Sequence, residues 1–184
     1  MRPRRRRCWL VATADRHRVF FALWPDADIA RALHSVADEA CRSWGGRRTR
    51  PETLHLTLAF LGDTPTARLA DAAAAAAGVR CAAFEFCLDR LGYWQHNRIL
   101  WAGGGSAAAN PLAASLDGLL RQAGFALAER SFAAHVTLLR DCRRPDRAEL
   151  PVAIRWPVRD FVLAESRPAA AGVRYEIIGR WPLV

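Results

Sequence analysis

The stretch LHLTL at residues 54–58 returns as AHVTL at residues 134–138. In both stretches a histidine stands two positions before a threonine, and aliphatic side chains fill the alternate positions. Alternation with a period of two predicts a β-strand with one buried face and one open face. Each half of the chain is therefore predicted to contain a strand that presents an imidazole and a hydroxyl on the same side.

These two faces have the groups that phosphodiester hydrolysis needs. By simple alternation, His55 and Thr57 point to one side of their strand, and Phe60 points to the aliphatic side. His135 and Thr137 repeat the arrangement. An imidazole with a pKa of about 6.5 gives or takes a proton near neutral pH, and a hydroxyl donates to a phosphate oxygen. Two histidines that approach phosphorus from opposite sides match in-line displacement.

The patterns around the motifs mix helices with several strands in direct succession, which favours an α+β fold with antiparallel pairing. A helix, an arginine-containing loop and a His-x-Thr strand occur twice, which indicates two halves related by a pseudo-two-fold axis. The predicted strands are residues 18–24, 54–61, 84–91, 99–102, 134–139, 161–165 and 175–178. The predicted helices are a first helix that ends at residue 44, with Asp26 or Asp28 as its N-cap, and residues 65–78 and 110–124.

The basic residues exclude some enzyme classes and suit an anionic ligand. All 27 basic residues are arginine. Without lysine, the chain cannot form a lysyl–AMP intermediate or a phosphate-binding loop of the Gly-x-x-x-x-Gly-Lys type. The net charge of +9 suits an anionic ligand such as RNA.

Residues 1–17 are predicted to be a disordered basic extension, and residues 18–184 a single domain. The start of the chain imitates a secretory signal only faintly, because charged residues follow its short apolar run at once. No apolar run approaches the ~18 residues of a membrane span, so no membrane association is expected. The five cysteines are an odd number without a Cys-x-x-Cys pair, which favours free thiols and a cytoplasmic location.

Residues 50–62 and 135–140 resemble the two signatures of the bacterial and archaeal RNA 2′,3′-cyclic phosphodiesterases. These two-histidine phosphoesterases were historically called 2′-5′ RNA ligases. The resemblance extends over residues 18–184. It implies two pseudo-symmetric lobes of antiparallel sheet, with outer helices, around a central cleft that has both motifs at its floor.

The resemblance also implies a reaction and roles. The family opens 2′,3′-cyclic phosphates at RNA ends to leave a 2′-phosphate, and it also joins ends resembling tRNA halves through a 2′-5′ bond. His55 would be the general acid for the 3′ oxygen and His135 the general base for water, although near symmetry leaves the reverse assignment open. Thr57 and Thr137 would hold the phosphate. Neither a metal nor a cofactor is expected, and the enzyme would act as a monomer.

Two further substrate-binding residues follow from the resemblance. Arg140 matches an arginine near the ligand, yet alternation from the second histidine places it on the opposite face, so a bulge would have to redirect it. A surface ion pair is the alternative role. Phe20 would stack on the terminal base, or else belong to the core. The chain departs from the family at Thr53, where asparagine is common, and at Ala134, where proline is common.

The same residues are compatible with three alternative functions. The two motif histidines would serve in a zinc site, but no Cys, Asp or Glu stands nearby at ligand spacing. A non-catalytic RNA-binding domain would use the basic cleft and its aromatic residues. A two-histidine phosphoesterase for a small cyclic or 2′-5′-linked nucleotide would have the same motifs, because these contact only the phosphate.

Overall fold

The computed structural model describes residues 15–105, 107–129, 131–146, 150, 152–170 and 172–184. These residues form ten β-strands and three α-helices. In chain order they are β1 (Arg16–Leu23), α1 (Ala27–Trp44), β2 (Arg47–Arg48), β3 (Leu56–Pro65), α2 (Leu69–Ala77), β4 (Phe84–Leu88), β5 (Arg90–Trp94), β6 (Ile99–Gly103), α3 (Asn110–Gln122), β7 (His135–Arg140), β8 (Ile154–Val158), β9 (Asp160–Ala169) and β10 (Gly172–Pro182). The predicted α+β class is confirmed.

Among the described residues, eight strands form one sheet in the order β10-β9-β1-β3-β7-β6-β5, with β2 added beside β7. All of its strand pairs are antiparallel. The two predicted lobes correspond to the halves β10-β9-β1-β3 and β7-β6-β5, which meet where β3 lies beside β7. Strands β4 and β8 form a separate two-stranded sheet.

The two faces of the main sheet differ. The three helices and the small sheet pack on one face, where they form the main core with residues such as Phe21 and Leu23. Phe20 and Ala22 point to the other face and form a small cluster with Val162 and Ala164 of β9. This second face is the floor of the cleft, and both motifs open onto it.

Helix α1 shows how local signals set the elements. The side chain of Asp26 accepts hydrogen bonds from the backbone N–H groups of Asp28 and Ile29, which caps the first turn. Gly45 ends the helix with φ of +67°, a conformation that favours glycine. Ile29 and Leu33 are buried on the face that packs on the sheet, as their spacing predicts.

The predicted strand at residues 84–91 is corrected to two strands in different sheets. Strand β4 ends at Leu88 and pairs with β8, whereas β5 begins at Arg90 and pairs with β6. The short strands β2 and β8 were not predicted, since β2 has two residues and Pro157 interrupts the strand pattern of β8. Helix α2 begins at Leu69, after a 3₁₀ turn at Thr66–Arg68, later than predicted.

The first strand begins slightly before residue 18. Strand β1 starts at Arg16, and His17 lies within it. The His17 ring joins two other segments, with Nδ1 2.9 Å from Oε1 of Glu165 and Nε2 3.0 Å from Oγ1 of Thr66. Most of the predicted extension falls on residues 1–14, which lie outside the described residues.

Candidate active site

The two His-x-Thr motifs lie on neighbouring strands. Leu56 of β3 pairs with Val136 of β7 in antiparallel register. This register places His55 beside Thr137, and likewise sets the other histidine beside the other threonine. The two imidazoles and the two hydroxyls therefore lie close together, as predicted, within one sheet and at the junction of its two halves.

Both imidazoles are oriented in the same way. Nδ1 of His55 is 2.7 Å from the carbonyl oxygen of Thr53, and Nδ1 of His135 is 2.7 Å from that of Ala133. A carbonyl oxygen only accepts hydrogen bonds, so each Nδ1 carries the proton. The Nε2 atom of each neutral ring is then an unprotonated nitrogen that is available as a base, and it becomes an acid when protonated.

Aromatic rings surround His55. The Trp24 ring is stacked on it at a centroid distance of 5.5 Å and an interplanar angle of 11°, and Phe20 and Tyr175 lie at 4.8 Å and 5.1 Å. Trp24 and Tyr175 were not singled out from the sequence. Their only local signal is an aromatic residue in or just after a strand, which is as common in a core as in a site.

His135 has a similar but more open setting. The Trp94 ring meets it edge to face at a centroid distance of 4.5 Å, and Trp101 lies at 6.3 Å. Trp94 ends β5, and Trp101 of β6 pairs with Thr137. Neither tryptophan was predicted from the sequence to belong to the site.

The surroundings lower the pKa of both histidines. The pKa of His55 is lowered to about 4, mainly by burial and also by the positive charges of Arg140 and His135, and the hydrogen bond to Thr53 acts in the opposite direction. Burial and then Arg140 also lower the pKa of His135. Both rings are therefore mainly neutral at pH 7 in the protein without ligand.

Two bulges redirect the residues that follow the motifs. Leu58 is an additional residue in β3, and Leu138 is an additional residue in β7. Each insertion shifts the alternation by one position. Phe60 and Arg140 therefore lie on the face of the histidines, in equivalent places on the two strands. The predicted aliphatic orientation of Phe60 is wrong, and the bulge that Arg140 requires is present.

Phe20 does not have the exposure that base stacking needs. Its ring is 2% exposed and packs against His55, Phe60 and Tyr175. The prediction that Phe20 binds the substrate base is corrected, because no face of this ring is open in the structure. Phe20 instead belongs to the wall behind His55, as the core alternative had it.

A cavity of about 1080 Å³ opens at the centre of the sheet. Its wall includes Thr57, Phe60 and His135, together with residues of α3 and residues 127–129 and 131–133. His55 does not line this cavity and is set back behind its aromatic neighbours. In the part of the chain that the structure describes, no group of three or more His, Cys, Asp or Glu side chains is arranged to hold a metal ion. The described helices are too short or too polar to span a membrane.

The chain matches known proteins over most of its length. The LigT-like phosphoesterase family model matches residues 23–101. The RNA 2′,3′-cyclic phosphodiesterase of Escherichia coli (strain K12) is 29% identical over an alignment of 174 residues, and the match covers 92% of this chain and 98% of that protein. The protein of the same name from Geobacillus stearothermophilus is 33% identical over 92% of this chain and 58% of its own length.

Solved structures agree with this match. The crystal structure of E. coli LigT in its apo form has a TM-score of 0.81 and 29% identity, and covers 92% of this chain and 98% of that chain. The structure of E. coli LigT complexed with 3′-AMP has a TM-score of 0.82 and 28% identity, and the match covers 92% of this chain and 99% of that chain. In this fold and in two His-x-Thr motifs at one cleft, the chain is similar to the LigT-like phosphoesterases.

Proposed function

We propose that this protein hydrolyses 2′,3′-cyclic phosphates at RNA ends to 2′-phosphates, with His55 and His135 as an acid–base pair that needs neither metal ion nor nucleotide. One observation carries the proposal. Two imidazoles lie on neighbouring strands, and each donates its Nδ1 proton to a backbone carbonyl, so both Nε2 atoms are available for proton transfer. The relatives named RNA 2′,3′-cyclic phosphodiesterase support the same reaction.

The reaction divides two proton transfers between the histidines. Nε2 of His135 takes a proton from water while the water oxygen forms a bond to phosphorus. The bond between phosphorus and the 3′ oxygen breaks, and Nε2 of His55 gives its proton to that oxygen. The product has a 3′-hydroxyl and a 2′-phosphate, and proton exchange with solvent restores both rings.

The remaining polar groups act on the phosphate itself. Thr57 and Thr137 donate hydrogen bonds to the non-bridging oxygens, where negative charge builds up in the transition state. Arg140, on the same face, offsets that charge. Because the pKa of His55 is low in the free protein, its acid form depends on the phosphate anion, which raises the pKa when it binds.

The proposal includes a substrate, an oligomeric state and a location in the cell. The cyclic end is carried on RNA, and tRNA fragments are among the candidates. The same site would join such an end to another RNA through a 2′-5′ bond when a 5′-hydroxyl, in the place of water, attacks phosphorus and the bond to the 3′ oxygen breaks. A monomer suffices, because one chain supplies both motifs. A cytoplasmic location fits the described cysteines, Cys41, Cys81, Cys87 and Cys142, which are free thiols.

The test is hydrolysis of a short RNA that ends in a 2′,3′-cyclic phosphate, measured in EDTA. His55→Ala and His135→Ala should each lower the rate at least ~10²-fold, because one acid–base group typically contributes that much. His96→Ala, at an exposed turn, is the matched control and should keep the rate. RNA binding without turnover in the wild type would favour a non-catalytic module. Turnover of small cyclic nucleotides alone would favour a related phosphoesterase with another substrate.

A further inference from the structure

Trp24 contacts both His55 and a second cavity. Its ring is stacked on the imidazole at a centroid distance of 5.5 Å, and it packs against the small cluster on the cleft face of the sheet. The same residue lines a cavity of about 450 Å³, together with residues 25–26, residues 156–160 and Arg180. The candidate active site and this second cavity are therefore neighbours that share one indole ring.

The second cavity lies at the rim of the cleft. Residues 24–26 join β1 to α1, and residues 156–160 end β8 and begin β9. Arg180 of β10 is directly opposite Val162 of β9, whose side chain belongs to the cleft-face cluster. Opposite residues on paired strands share a face, so Arg180 is on the cleft side of the sheet. The second cavity has no lining residue in common with the cavity of about 1080 Å³.

The lining of the second cavity suits a flat, uncharged group with polar edges. Trp24 supplies an aromatic surface. The charged lining residues are two arginines and two aspartates, so they have no net charge: Asp26, Arg159, Asp160 and Arg180. Guanidinium groups donate hydrogen bonds and carboxylates accept them. A nucleobase combines a flat face with donors and acceptors on its edge, and single-stranded RNA is held by contacts of these two kinds.

The chemistry at the histidines directs the RNA towards the second cavity. In the proposed reaction, His55 protonates the 3′ oxygen, and His135 activates water on the opposite side of phosphorus. The 3′ oxygen belongs to the ribose of the terminal nucleotide, so this ribose lies on the side of His55. The RNA continues from the 5′ oxygen of the same ribose. The nucleotide before the cyclic end is therefore on the side where Trp24 and the second cavity lie.

We propose that the second cavity binds the base of the nucleotide that precedes the cyclic end, with Trp24 as its stacking surface. A volume of about 450 Å³ is in the lower half of the range of small-molecule sites, about 300–1,000 Å³, and suits a single base. The inference rests on the proposed cyclic phosphodiesterase activity. It adds a preference for oligonucleotide ends, because a mononucleotide leaves the second cavity empty.

The test compares a dinucleotide that ends in a 2′,3′-cyclic phosphate with the same dinucleotide lacking its first base. In the wild type, kcat/KM should be on the order of 10-fold higher for the intact dinucleotide, the usual contribution of one stacked base. Trp24→Leu should abolish this ratio, and Trp24→Phe should retain most of it. Arg159→Ala, which does not alter the ring beside His55, should lower the ratio roughly 3-fold through loss of a contact to the base edge.

Arg155→Ala is the matched control for Arg159→Ala. Arg155 is an exposed arginine of β8 that pairs with Glu85 and does not line the second cavity. Its truncation should leave the ratio of the two kcat/KM values unchanged.

The outcomes distinguish this inference from the proposed function. An equal loss on both dinucleotides in Trp24→Leu, with the ratio retained, would mean that Trp24 acts only through His55 and would overturn the inference. Equal kcat/KM for the two substrates in the wild type, or an unchanged ratio in Arg159→Ala, would overturn it as well, with the hydrolase activity still established. A wild-type protein that hydrolyses neither dinucleotide would instead contradict the proposed function.

Discussion

Leu56 lies directly opposite Val136, at the junction of the two halves of the main sheet. Both side chains are fully buried on the helix-covered face. The residues on either side of this pair are the motif histidines and threonines, which point to the opposite face. The spacing of the two imidazoles therefore depends on how well this one aliphatic pair is packed.

Leu56→Ala should lower both stability and activity. Truncation of a fully buried leucine typically costs about 2–5 kcal/mol in the free energy of unfolding. Because the void left by the truncated side chain would lie at the junction, we also expect the histidines to be misplaced and kcat to fall at least ~10-fold. Leu88→Ala is the control, since Leu88 is equally buried but lies in the small sheet. Urea unfolding should show similar losses of stability in the two variants. Turnover measurements should show a loss of kcat for Leu56→Ala alone. Equal kcat in the two folded variants would contradict this role.

Arg140→Ala should raise the pKa of both histidines in the ligand-free protein, because the guanidinium charge lowers both. It should also lower kcat/KM by about 10²-fold through the loss of a charge-assisted contact to phosphate. Arg140→Lys should keep the pKa values low but not restore the full rate, since lysine lacks the planar fork. NMR titration of the imidazole C–H signals and steady-state kinetics measure the two effects. The control is Arg80→Ala, at an exposed position after α2. Unchanged histidine pKa values in Arg140→Ala would contradict the prediction.

The low pKa of His55 should make the fold less stable in mild acid. The pKa is about 4 in the folded protein, against 6.5 for a histidine that is not buried, so the unfolded chain binds more protons between these values. Stability is therefore unaffected above pH 6.5 and is lost as the pH falls towards 4. Between pH 7 and pH 5 the wild type should lose roughly 2 kcal/mol more than His55→Gln. Urea unfolding at the two pH values measures the difference. Equal losses of stability in the wild type and in His55→Gln would show that His55 is not buried as a neutral ring.

Deletion of residues 1–14 should weaken RNA binding without changing the chemistry. The segment contains five arginines and no acidic residue. Its removal should lower RNA affinity at low salt and flatten the dependence of affinity on salt, because fewer counterions are released. Turnover of a cyclic mononucleotide should be unchanged. The deletion stops before Arg16 because β1 begins there. A large loss of mononucleotide turnover would contradict the prediction.

Much of the fold was predictable from local patterns. The period-two runs at 54–61 and 134–139 indicated the motif strands. A cap at Asp26 or Asp28 was predicted for α1, and the structure has it at Asp26. The arrangement of both histidines and both threonines of the candidate site was also predictable, because side chains two positions apart on a strand share a face wherever the strand lies. The division of residues 84–91 between two sheets was not, since pairing depends on β8, far along the chain.

The sequence by itself determined which residues form the strands, the helices and the two imidazole–hydroxyl pairs, because periodicity and capping are properties of neighbouring residues. Only the tertiary structure decided that Phe60 and Arg140 face the cleft and that Phe20 is buried. The bulges at Leu58 and Leu138 arise from register with partner strands, and the pKa of His55 arises from rings on β1 and β10. Such contacts join residues far apart in the chain, and the packing of the whole domain, rather than any local pattern, selects them.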